Sequence, residues 1–162
     1  MLLPRINARV QSARPLGQAI LVGHKLMFHK IGQDGSAKCD AFYTGSNSDL
    51  VYGVLYEMEL NDKPLLDKAE GLGRGYETKE VKVVLQNGIT HNAYLYTATL
   101  IDKTIKPFSW YKELVLYGAL TNNLPQNYVS ERIKKVEAMK DPDIKRATEN
   151  LKLLSEFRIC LK

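Results

Sequence analysis

The chain has 162 residues, 44% hydrophobic and 25% charged, the size and mix of one globular domain that closes its own core without metal or disulfide staples. No run approaches the ~20 consecutive apolar residues of a membrane helix. The opening MLLPRINARVQ gains Arg5 and Arg9 too early, and lacks the apolar core and cleavage site, for a secretory signal, so the chain reads as soluble and cytoplasmic with no membrane partner.

Leu3, Ile6 and Val10 recur at helical spacing, and Pro15 marks where that first helix must stop. The run AILVGHKLMF, Ala19 to Phe28, reads as one long strand with a bend or bulge at Gly23. A polar loop, Gly32 to Lys38, comes next. Cys39 to Tyr43 and Leu50 to Tyr56 flank GSNSD and read as the two arms of a hairpin. In NDKPLLDKAEG, Asp62 is placed to cap and Pro64 to start a short helix that ends near Gly71, which leaves Glu70 at a helix-to-loop junction. Asn87-Gly88 between ETKEVKVVLQ and ITHNAYLYTA is a two-residue hairpin signal. Pro107 precedes a helix over SWYKELVLYGAL, Pro125 precedes a second over NYVSERIKKVEAM, and DPD separates that from a terminal helix of about fifteen residues.

Strands first and helices last, with no repeat and no linker composition, predict a single α+β domain over 1–162: a small mixed, strongly curved sheet or barrel with flanking helices, helical from about residue 128 onward. Cys39 and Cys160 are far apart and fit neither a disulfide framework nor a zinc spacing, so both read as reduced thiols. His24 and His29 have opposite parity on a strand and face one metal only across a bulge, so no metal is expected. Ser46 and Ser109 have neither a GxSxG turn nor a local base. The net charge of +5 comes without a nucleic-acid motif. Lys134, Lys135, Lys145 and Arg146 therefore read as a solvated helix face, and no nucleic-acid partner is expected.

VYGVLYEM, then LLDKAEGLGRGYE, a strand pair ending NAYLY, and WYKELVLYGALTNNLPQNYV occur in the order and spacing of one family, through about Tyr128. The chain resembles the gamma-glutamylcyclotransferase superfamily. The resemblance implies a cofactor-free enzyme that cyclises a γ-glutamyl amine or peptide to 5-oxoproline and releases the amine. It places Glu70, the glutamate of the LDxxEG signature, as acid/base catalyst, and Tyr76, Tyr111 and Gly71 in the substrate-binding set. Asp67 reads as support for a cap or turn, not as a partner of Glu70 in a carboxylate pair. A carboxylate doing this work is helped by a pKa raised from about 4.3 toward neutrality. The family opens with a strand ending in YGSN; here LLPRI resembles the segment just after that motif, with Met1 as the motif's last residue, and the strand and loop are missing. YTGSNSD at Tyr43 to Asp49 lies after the second strand and reads as a turn, not as that loop. Two readings stay open: the enzyme, or a catalytically inactive small-molecule-binding or interaction protein on the same scaffold. A missing edge strand leaves a homodimer open as well.

Overall fold

The computed structural model describes residues 3–159. Cys160 and Met1, to which the sequence assigned a free thiol and the end of a motif, lie outside the described residues. Helix α1 (Leu3–Asn7) leads into strands β1 (Arg14–Val22), β2 (His24–Ile31), β3 (Ala37–Tyr43) and β4 (Leu50–Glu57). A 3-10 turn then precedes helix α2 (Lys63–Glu70), the pair β5 (Tyr76–Leu85) and β6 (Thr90–Ala98), and the helices α3 (Ser109–Thr121), α4 (Gln126–Val129) and α5 (Ile144–Ile159).

One sheet has the order β4-β1-β5-β6 and the other is the ribbon β2-β3. The named strands pair antiparallel, and parallel contacts come from the single bridges Leu72 to Tyr76 and Phe108 to Met139. The ribbon packs its β2 against β4 and its β3 against β6, the two edges of the larger sheet. The strands thus curl into an incompletely paired barrel flanked by helices, the α+β architecture expected.

The expectations for the first four strands are corrected. The long strand is divided: Gly23, at φ 75°, turns the chain out of one sheet and into the other, a conformation that favours glycine because it has no Cβ. The backbone groups at this corner are not left bare, since the Gly23 and His24 N–H donate to Asp49 O and the Gly23 carbonyl accepts from Thr44 and Gly45. The expected hairpin across GSNSD does not form. β3 pairs with β2, from His24–Tyr43 to Ile31–Ala37, and β4 pairs with β1, so GSNSD carries the chain from one sheet to the other.

The β5–β6 hairpin forms where Asn87-Gly88 predicts it. Its connection is one residue longer than read: Gly88 N–H donates to Leu85 O, Leu85 N–H to Ile89 O, and Gly88 takes φ 81°, a turn that ends in a glycine bulge. The helix expected over NYVSERIKKVEAM stops early. After α4 a π-helical turn runs Ser130–Lys134; beyond it Met139 donates to Pro107 O and accepts from Ser109 N–H, so its backbone joins the start of α3. Helix α3 and the α4 turn meet through Ala119, Val129 and Ile133, and burying side chains such as Val129 and Ile133, each 1% exposed, contributes about 1.5–3 kcal/mol apiece. A second cluster, Phe108, Trp110, Leu114 and Leu154, joins α3 to α5, and a third sets α1 and Val10 on Leu66 of α2.

Candidate functional site

Between these clusters the barrel encloses a cavity of about 1160 Å³, and Glu70, Gly71, Tyr76 and Tyr111 all line it. The four residues named from sequence, spread over the end of α2, β5 and α3, therefore line the same cavity.

Glu70 is the last residue of α2. Pro64 opens that helix, and Gly71 ends it in the left-handed region, with φ 79° and its N–H bonded to Asp67 O and Lys68 O. Asp62 occupies the N-cap position without capping: its carboxylate accepts from Ser12 Oγ at 2.5 Å instead. The Glu70 carboxylate is ion-paired with Arg9, and its side chain is 17% exposed. Asp67, one turn earlier, is held by Lys63 at 2.8 Å and by the Tyr96 hydroxyl at 2.6 Å. As the sequence suggested, it braces the helix end and does not pair with Glu70.

The turn after Glu70 keeps its amides for itself. Gly71 and Leu72 donate to Asp67 O, Gly73 to Tyr76 O and Arg74 to Gly71 O. What Gly71 gives the site is the sharp exit that leaves Glu70 at the cavity wall; its own N–H is already bonded.

Tyr76 and Tyr111 share a partner. The Tyr76 hydroxyl donates to Cys39 O at 2.7 Å, and the Cys39 N–H donates to the Tyr111 oxygen at 3.0 Å. Both phenols sit above their ordinary pKa, chiefly because of burial, so both stay neutral donors and acceptors. Their rings line the cavity while their hydroxyls pin β3 at one residue.

Cations crowd the same wall. Lys38 binds Asp34 at 2.7 and 3.0 Å and Ser36 Oγ at 2.6 Å, and its ammonium lies 4.8 Å from the Tyr111 ring centre. Burial pushes its pKa down against the pull of Asp34. Lys30 is 6% exposed and lies 4.6 Å over the Tyr76 ring. Arg5 lines the cavity too, its pKa lowered by burial and by Arg9. The sequence reading did not place Arg5, Arg9, Lys30 and Lys38 on the cavity wall. No local motif marks them; Arg9 meets Glu70 across 61 residues.

The remaining sequence candidates lie in structural roles. A bulge does occur at His29, but its Nε2 is 2.8 Å from Asp40, while His24 Nδ1 lies 2.8 Å from Val22 O. Among the described residues no group of three or more His, Cys, Asp or Glu side chains is placed to hold a metal ion. Ser46 bonds Ser48 in an exposed turn. Lys134, Lys135 and Lys145 are exposed as expected. Arg146 is corrected: it binds buried Asp141 through two nitrogens, at 2.7 and 2.5 Å, because that carboxylate also accepts the Trp110 indole N–H and needs a counter-charge. No described helix is long and apolar enough to cross a membrane.

The AIG2-like family pattern matches residues 50–131. The chain is 33% identical over 146 residues to a gamma-glutamylcyclotransferase of Homo sapiens, spanning 85% of this chain and 74% of that protein. A solved gamma-glutamyl cyclotransferase structure superposes with a TM-score of 0.82 at 28% identity, covering 93% of this chain and 92% of that one. The crystal structure of an uncharacterized Homo sapiens protein gives 0.76 at 30% identity, over 85% and 83%. The Glu70 signature, the curled barrel and these likenesses agree, and the chain belongs to the gamma-glutamylcyclotransferase superfamily.

Proposed function

We propose that this chain acts in the cytoplasm on γ-glutamyl amines or peptides, closing the glutamyl group to 5-oxoproline and releasing the amine. The observation that carries this reading is the Glu70 carboxylate at the wall of a large cavity, oriented by Arg9, with Tyr76 and Tyr111 lining the same cavity. The named relatives support it.

The α-amino nitrogen of the substrate attacks its own γ-carbonyl carbon, so a C–N bond forms as the original amide C–N bond breaks. Glu70 takes the proton that the attacking nitrogen loses and returns it to the departing nitrogen. No electron changes hands, and nothing is added or removed beyond the amine. Holding nucleophile and carbonyl in one bound molecule supplies an effective molarity of ~10⁵ M or more. Proton transfer is the part left to the protein.

The test is mass-spectrometric detection of 5-oxoproline after incubation with γ-glutamyl-alanine, glutathione and γ-glutamyl-lysine. Glu70→Gln keeps the shape and removes the base, and the expected loss in turnover is about 10²–10⁴-fold. A folded Glu70→Gln protein with full turnover ends the proposed role of that residue. No product from any of the three substrates favours a binding protein on the same scaffold.

A further inference from the structure

We infer that Lys30 is the counter-ion for a carboxylate of the bound γ-glutamyl compound, a specificity-determining residue additional to Glu70, Tyr76, Tyr111 and Gly71. The inference rests on the proposed function and deepens it.

Lys30 is buried yet faces the cavity. Among the described residues its ammonium has neither an ion-pair nor a hydrogen-bond partner, only the Tyr76 ring face at 4.6 Å. The two carboxylates acting on it from further away, Glu70 and Asp34, are already bound to Arg9 and Lys38. A buried charge without a partner is costly.

The approach is built. Gly75, at φ 109°, leaves its Cα bare beside the Lys30 side chain; a Cβ there would stand 3.0 Å from Lys30 Cε and 3.3 Å from Nζ. Lys30 passes through that gap to reach the Tyr76 ring. The amides of Gly71, Leu72, Gly73 and Arg74 are all bonded within their own turn, so these four form no backbone cradle for a carboxylate. The unpartnered ammonium fills that need. The substrate class carries such a group on its glutamyl half, and a second when the released amine is an amino acid or peptide.

The experiment uses the full chain with Glu70→Gln, which binds without turnover, and measures γ-glutamyl-alanine by calorimetry with Lys30, Met or Arg at position 30. Two further ligands separate the carboxylates: γ-glutamyl-ethylamine lacks the one on the leaving group, and the α-carboxamide of γ-glutamyl-alanine lacks the glutamyl one. Lys30→Met is expected to weaken γ-glutamyl-alanine about 10- to 150-fold, the worth of a hydrogen bond to a charged group. Lys30→Arg is expected to keep most of the affinity, and the loss should vanish for the ligand without the partner carboxylate. The same Lys30→Met change, by removing a buried unpaired charge, is expected to raise the Tm of the ligand-free protein by at least about 2 °C. A lowered Tm, an unchanged affinity, a loss that persists undiminished for all three ligands, or no measurable binding of γ-glutamyl-alanine each overturns the inference. Cyclisation is read separately, as 5-oxoproline from the unaltered chain, so either idea falls without taking the other's measurement with it.

Discussion

Cys39 sits on the cavity wall with a thiol that is a poor nucleophile. Burial pushes its pKa up to about 12, and its backbone N–H and carbonyl are both engaged by tyrosine hydroxyls. At pH 8 the thiolate, the reactive form, is scarce. In a Cys160→Ser background, Ellman's reagent is expected to label folded Cys39 roughly 10³-fold more slowly than an unfolded thiol of pKa about 8.5. Labelling at the unfolded rate would show that the site is far wetter than the packing implies. At this scale the sequence is readable where chemistry is local: LDxxEG marks Glu70, and the glycine after it explains the position. It is silent about Arg9 and Lys30, because the contacts that give them meaning come from strands and helices distant in the chain.

The join between α3 and α5 rests on Asp141. It accepts the Trp110 indole N–H at 2.8 Å and two Arg146 nitrogens, and these partners, Arg146 first, hold its carboxyl well below the usual carboxylate range. A depressed folded pKa stabilises the protein above the unfolded value, about 3.9, and that stability is lost as pH falls below it toward the folded pKa. Asp34, bonded to Lys38, shifts the same way. Urea midpoints are expected to stay level from pH 7 to about 5 and fall below about 4. Asp141→Asn should lower the midpoint at pH 7 and blunt the acid fall; an acid limb as steep as in the unaltered chain would place its origin elsewhere. Elements with near neighbours were legible. Asn87-Gly88 marks where β5 turns into β6, though not the glycine bulge that moves its register by one residue, and Pro64 and Gly71 mark the ends of α2. Which strand β3 pairs with was not, because β2 and β4 are both adjacent in sequence and only closure of the barrel decides between them.

The whole molecule is a barrel with two incomplete seams. Across the one between β3 and β6, the Asp40 carboxylate accepts the Ala98 N–H at 2.9 Å and its other oxygen lies 2.8 Å from His29. One side chain thus ties the ribbon to the far edge of the larger sheet, and the cavity stays open beneath. The sequence showed the class of this architecture through the order of its elements, and missed the division into two sheets because nothing in AILVGHKLMF distinguishes a bulge from a corner.

The corner at Gly23 also sets an order of events. Because the chain leaves β1, completes the whole β2–β3 ribbon and only then returns as β4, pairing Leu21 with Val51 demands closure of a loop that contains the ribbon. The two hairpins close over a few residues each, at far smaller entropic cost. In pulse-labelled hydrogen exchange during refolding, amides of β2–β3 and β5–β6 are expected to gain protection before those shared by β1 and β4. Simultaneous protection of all three would mean that the barrel condenses in one step. In the expected order the ribbon is a preformed plug, and the last pairing to zip is the one that shuts the wall beside Glu70.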